Sequence, residues 1–350
     1  MLLSASENAG PVNVTAIGRD LSVMVFLQPF KQWMEDDAVT EIAVNGPGTV
    51  WIEKGSIWSP HTVPEVDSKL MRALGTAVAT YAGQKWDGSA PVLSASMPDG
   101  SRIQLVMPPA VEFDRISFTM RKPARVSRKL QNFSDEGLFK RVRAAKSTLD
   151  EMDAHLLYLL EKMKYEEFFS AAVKARKNIV VSGATGSGKT TFMKALVQEI
   201  SLAERIVTIE DVRELFLPHG NCVHLLYSKG GQDKSSIKPK DLLESCLRMK
   251  PDRILLAELR GDECLYYVRN AASGHPGSIT SCHAGSPTLA FEQMAIMIQD
   301  SPGGANLTFD VIKRLLLLTI DIVVQFQNHL GERYISEIYF DPAKQLQIIA

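Results

Sequence analysis

Residues 178–200 read N-I-V-V-S-G-A-T-G-S-G-K-T-T-F-M-K-A-L-V-Q-E-I, and this stretch decides the fold. Ile179, Val180 and Val181 form a short continuous apolar run, the pattern of a strand buried on both faces of a parallel sheet. Residues 183–190 then satisfy G-x-x-x-x-G-K-[ST] at every fixed position. Phe192, Leu196 and Ile200 recur at every fourth residue, one apolar face of a helix. Strand, glycine-rich loop and helix together predict a phosphate-binding loop. Gly183, Gly186 and Gly188 let the backbone curl, so that the N–H groups of Ala184, Thr185, Ser187 and Thr191 and of the glycines face one concavity. The helix adds the positive end of its dipole. Lys189 is placed to reach β- and γ-phosphates and the Thr190 hydroxyl to ligate Mg²⁺, so the expected substrate is a nucleoside triphosphate.

Beyond this loop the chain alternates strand and helix. Strands are predicted at 205–209, 253–257, 278–282 and 320–326, with helices starting at Pro239, Gly261 and Ser286-Pro287, and a final hairpin returns through 334–340. That alternation predicts an α/β domain with a mostly parallel sheet covered on both faces, over residues 151–350. Leu156, Leu159, Leu160 and Met163 begin a helix leading into it.

The first half reads differently. Short strands at 41–44, 50–53, 57–58, 102–107 and 116–120 are punctuated by Asn, Gly and Pro, and Leu70, Leu74, Val78 and Tyr81 mark one helix. These features predict a smaller α+β domain over residues 17–121. A disordered arm is expected at 1–16, and a Lys- and Arg-rich linker with one short basic helix at 122–150. No role follows from the sequence for residues 218–240.

Composition narrows the functional class. Thirty-nine basic residues against 40 acidic ones give a net charge of −1, which disfavours a surface that tracks nucleic acid throughout. Residues 1–11 lack the basic start and apolar core of a secretory signal. The most apolar run, 315–324, is too short to span a bilayer and contains Asp321, so peripheral membrane contact is allowed and insertion is not. Cys222, Cys246, Cys264 and Cys282 are widely spaced and read as reduced residues of a cytosolic protein.

Triphosphate hydrolysis needs a metal ligand, a group orienting water, and positive charge for the transition state. Glu210-Asp211 and Glu258 end predicted strands, where ligands of an open α/β sheet bind. Either Glu258 serves alone or Glu210 shares the metal and the water. His283 closes another strand beside the site and could sense or polarise the γ-phosphate, whereas a zinc site using Cys282 and His283 lacks partners at ligand spacing. In the first half Arg102, Arg115, Arg121, Lys122 and Arg125 gather at strand ends, either as a solvated basic face or as arginine fingers for a nucleotide held by a neighbouring domain or subunit.

These pieces, in this order, resemble the RecA-like secretion traffic ATPases, and within them the hexameric ATPases of bacterial type IV secretion and conjugation systems. The resemblance rests on residues 183–190, R-I-V-T-I-E-D-V-R-E-L (205–215), R-M-K-P-D-R-I-L-L-A-E-L-R-G (248–261), G-H-P-G-S-I-T-S-C-H-A (274–284), Y-I-S-E-I-Y (334–339), P-D-G-S-R (98–102) and S-F-T-M-R-K-P (117–123). It implies ATP and Mg²⁺, with Glu210 in the Asp box, Glu258 in the Walker B strand and His283 in the His box. It also implies that Arg102 and Arg121 approach the phosphates from the N-terminal domain. The expected assembly is a homohexamer on the cytoplasmic face of the inner membrane, working with other ATPases, a coupling protein and inner-membrane subunits. The lack of a tetracysteine insert argues against the type II secretion and pilus-extension branches. A nucleic-acid translocase and an ATP-binding scaffold without turnover are the competing readings.

Overall fold

The structure is a computed structural model, and it describes residues 22–124, 129–142, 148–228 and 237–349. The expected arm at 1–16 and Arg125 lie outside these residues, as do 143–147 and 229–236.

Six strands build the first sheet: β1 (Val39–Val44), β2 (Thr49–Lys54), β3 (Ile57–Thr62), β4 (Val92–Ser96), β5 (Arg102–Val106) and β6 (Ser117–Arg121). Their order is β3-β2-β1-β6-β5-β4, and every neighbouring pair is antiparallel. Helix Ser68–Ala82 covers one face. Its Met71, Leu74 and Val78 pack with Ile42, Ile52, Leu93, Ile103 and Phe118 in one apolar core. Asp67 caps the helix by accepting from the Leu70 amide, and Gly83 ends it with φ 64°.

The second sheet contains β7 (Ile179–Gly183), β8 (Ile206–Glu210), β9 (Cys222–Leu226), β10 (Arg253–Leu256), β11 (Ile279–Cys282), β12 (Ile322–His329) and β13 (Glu332–Phe340). The order is β13-β12-β7-β11-β10-β8-β9, parallel except for the β12/β13 hairpin. Apolar residues on both faces explain why helices cover both. Val180 enters one core, with helices Pro239–Cys246, Glu263–Ala272 and Pro287–Asp300. Its neighbours Ile179 and Val181 enter the opposite core, with helices Glu151–Glu161, Tyr165–Lys174 and Lys189–Gln198.

Several expectations change in detail. The helix begun by Leu156 is two helices, broken where Met163 takes φ 54°. The apolar run at 315–324 is shared between helix Phe309–Thr319 and β12. Strand β9 falls in the stretch to which the sequence assigned no role. The described part of the linker holds helix Leu130–Asp135 and the 3₁₀ turn Leu138–Arg141, where one basic helix was expected.

The two sheets are joined through a polar seam. Arg205 is fully buried; its guanidinium donates to Met249 O (2.9 Å), Asn45 Oδ1 (2.8 Å), Thr119 Oγ1 (3.3 Å) and Asn221 Oδ1. Gln104 bonds Ser245, Lys250 pairs with Glu53 at 2.9 Å, and the Leu226 amide donates to Ala110 O at 2.9 Å. Burial pulls the Arg205 pKa down to about 10, so it remains charged at neutral pH.

Candidate nucleotide site

The loop after β7 forms one wall of a cavity of about 560 Å³. Gly183, Gly186 and Gly188 have φ of 150°, 74° and 105°, all in the positive range that favours glycine. A Cβ at Gly183 would lie 2.7 Å from Phe326 O, so β12 and the loop approach closely only because that position is glycine. Residues 185–191 line the cavity, while Gly183 and Ala184 supply the carbonyls behind it.

Lys189 opens helix Lys189–Gln198 and donates to Gly183 O (2.6 Å) and Ala184 O (3.0 Å). Burial holds its pKa below the ordinary lysine value. Its Nζ also lies 3.4 Å from His283 Nδ1. An ammonium can only donate, so Nδ1 accepts and the ring proton sits on Nε2. Nε2 lies 2.6 Å from Glu258 Oε1, close enough for an ion pair but outside hydrogen-bond geometry, and Arg260 Nη2 contacts the other oxygen, Oε2. Arg260 Nη1 is 3.6 Å from Asp211 Oδ2. The ends of β7, β10 and β11 thus bring Lys189, Glu258 and His283 into one connected set.

Glu210 is placed differently. It is fully buried and does not line the cavity. Oε1 accepts from Thr208 Oγ1, and Oε2 accepts from the amides of Glu214 and Leu215, each at 2.8 Å. Burial alone would raise its pKa, but the bonds from His224, the two amides and Thr208 outweigh it and hold the carboxyl below its ordinary value. Asp211, the next residue, turns into the cavity instead, as do Glu214 and Arg333. The acidic pair at 210–211 signalled the place but not which side chain faces inward. Arg333 comes from β13 and no local pattern marks it.

Arg102 and Arg121 are register partners on β5 and β6 and line a second cavity with Glu41, Glu53, Lys122 and Lys250. The two cavities share no lining residue. Within one chain, therefore, the structure does not bring these arginines to the phosphate loop, because the seam at Arg205 docks the N-terminal sheet with that edge elsewhere. Arg115 pairs with Glu112 (3.2 Å), and Lys122 donates to the Trp33 and Asp36 carbonyls.

The family described as type II/IV secretion system protein matches residues 27–316. The chain belongs to this secretion family. The type IV secretion system protein VirB11 of Brucella suis is 47% identical over 333 residues, covering 93% of this chain and 92% of that protein. VirB11 of Bartonella quintana is 42% identical, covering 93% and 95%, and PtlH of Bordetella pertussis 38% identical, covering 94% and 98%. The crystal structure of the Brucella suis VirB11 ATPase in complex with sulphate aligns with TM-score 0.92 and 46% identity over 96% of this chain and 99% of that one. The mixed α/β fold is that of the Brucella suis protein. Among the described residues no helix is long and apolar enough to cross a membrane.

Proposed function

We propose that this protein hydrolyses ATP as the homohexameric motor of a type IV secretion or conjugation system, powering pilus assembly and substrate transfer at the inner membrane. The observation that carries the reading is the connected set Lys189–His283–Glu258–Arg260 at the mouth of the phosphate loop. In this reading the loop amides and Lys189 grip the phosphates, and water attacks the γ-phosphorus in line. Glu258 is the carboxylate in reach of that water, since both oxygens of Glu210 are already bonded to Thr208 and the loop. His283 links the phosphate-holding ammonium to Glu258, so loss of the γ-phosphate is felt at the carboxylate.

The oxygen donors suit Mg²⁺. Among the described residues no group of three or more His, Cys, Asp or Glu forms a metal cluster, and nucleotide-bound Mg²⁺ keeps phosphates and waters as most of its ligands. Thr190 and Glu258 would hold it, and it would neutralise phosphate charge. Arg102 and Arg121 serve the transition state of a neighbouring subunit, because their own chain's seam places them in a separate cavity. The division into residues 17–121 and 151–350 gives the two moving parts, joined by the 122–150 linker. Attachment to the cytoplasmic face of the membrane is peripheral, alongside other secretion ATPases, a coupling protein and inner-membrane subunits; direct nucleic-acid binding has no support in the balanced charge.

Phosphate release from MgATP by the purified full chain, with Lys189→Ala alongside, tests the reading, together with the mass of the assembly by light scattering. Turnover in the parent protein and none in the variant, at equal assembly mass, is expected. Equal rates in the two would end it.

A further inference from the structure

Thr208 and Glu210 stand two residues apart on β8, so they share a face of the sheet, and His224 on β9 is the register partner of Thr208. All three are buried. The Thr208 hydroxyl oxygen lies 2.8 Å from Glu210 Oε1 and 2.8 Å from His224 Nδ1. An ionised carboxylate only accepts, so the hydroxyl proton points to Glu210 and its oxygen takes the Nδ1–H proton. Nε2 is then an acceptor. It faces Arg213 Nη2 at 3.3 Å, while the nearby Cys222 thiol, 3.7 Å away, donates instead to His219 O.

Arg213 continues the path in one direction and Glu210 in the other. Arg213 Nη1 pairs with Glu112, which follows the point where Val111 bridges to Leu225 and the Leu226 amide donates to Ala110 O. Glu112 is therefore fixed by the docking of the N-terminal sheet. At the far end Glu210 Oε2 accepts from the Glu214 and Leu215 amides, and both residues line the nucleotide cavity. Along Glu112–Arg213–His224–Thr208–Glu210 each contact runs from a donor to an acceptor; Arg115 also pairs with Glu112 at 3.2 Å, and His224 Nδ1 also lies 3.6 Å from Glu210 Oε1.

We propose that Glu112, Arg213, His224 and Thr208 are positioning residues that let the docking of the N-terminal sheet set the place of residues 211–215 at the rim of the nucleotide cavity. The effect on turnover rests on the ATPase reading above; the effect on the rim does not. Displacing the sheet moves Glu112, frees Arg213 within the rim itself and takes from His224 Nε2 the donor that Arg213 supplies. A shift of about 1 Å in groups around a reacting phosphate is enough to cost orders of magnitude in rate.

Hydrogen–deuterium exchange at the Glu214 and Leu215 amides of the nucleotide-free full chain reads the rim directly. Glu112→Gln and His224→Phe should each speed that exchange about tenfold, and the double variant no more than the faster single one, since both cut one path. Glu112→Gln keeps the shape of a partly exposed side chain, so it reports even if His224→Phe folds poorly. In MgATP turnover the same variants should lower kcat about tenfold with KM within about twofold. Unchanged exchange at both amides, or effects that multiply in the double variant, would overturn the proposal. A parent protein with no turnover but with the expected exchange pattern would count against the ATPase reading alone.

Discussion

Glu41 offers the sharpest test of the electrostatics of the N-terminal sheet. It lies opposite Glu53 on β2 and opposite Arg121 on β6, and both carboxylates are only 3% exposed. Glu53 is well supplied, by Lys250 at 2.9 Å and Thr40 at 2.7 Å. Glu41 has the Arg121 Nε at 3.6 Å, on a largely exposed side chain. Burial therefore pushes the Glu41 pKa up to about 7 from 4.5, with Arg121 opposing and Glu53 reinforcing the rise. The folded value is above the unfolded one, so the native state holds the proton more tightly. Its contribution is fully present below pH 4.5 and is lost as pH rises through about 7. The interval from 4.5 to about 7, at 1.36 kcal/mol per pH unit, corresponds to about 3 kcal/mol. Glu41→Gln removes that titration while keeping the shape. The variant should match the parent near pH 4.5 and be more stable by up to about 3 kcal/mol at pH 8. All four tryptophans (Trp33, Trp51, Trp58 and Trp86) lie in or beside this sheet, so urea unfolding followed by their fluorescence reports on it selectively. A gap between variant and parent that stays constant from pH 5 to 8, or a variant less stable at pH 8, would refute the reasoning.

Glu258→Gln should lower kcat for ATP by about 10²–10³-fold while leaving nucleotide affinity within a few-fold, measured by single-turnover hydrolysis beside equilibrium binding. Arg121→Ala chains mixed with Lys189→Ala chains should recover part of the ATPase rate, because some seams then pair an intact loop with an intact arginine; no recovery at any mixing ratio means the arginine does not act across subunits. Arg205→Met leaves Asn45, Thr119 and the Met249 carbonyl without their donor, and should cost about 2–4 kcal/mol in denaturant unfolding.

Much of the nucleotide site could be read from the sequence because its chemistry is local. A strand, a tight turn and a helix N-terminus follow one another within 20 residues, and the glycine and lysine positions are set by backbone geometry within that span. The same holds for Glu258 and His283, which end strands whose apolar runs are legible. The mostly parallel second sheet and the α+β character of the first half follow from alternation and punctuation in the same way. Strand β9 was not legible, since Cys222 and His224 interrupt its apolar pattern and its pairing partner β8 lies 12 residues or more away.

The amino-acid sequence by itself predicted a triphosphate-binding loop, its residues and the layered sheet that carries it, because each depends on contacts between near neighbours in the chain. Only the tertiary structure decided that Asp211 rather than Glu210 faces the cavity, that Arg333 joins it from β13, and that Arg102 and Arg121 open elsewhere. Those outcomes hang on how one sheet docks on another through Arg205 and on the bonds from Thr208 and the Glu214 and Leu215 amides that hold Glu210 away from the cavity, and contacts between distant segments leave no periodic trace in either segment read by itself.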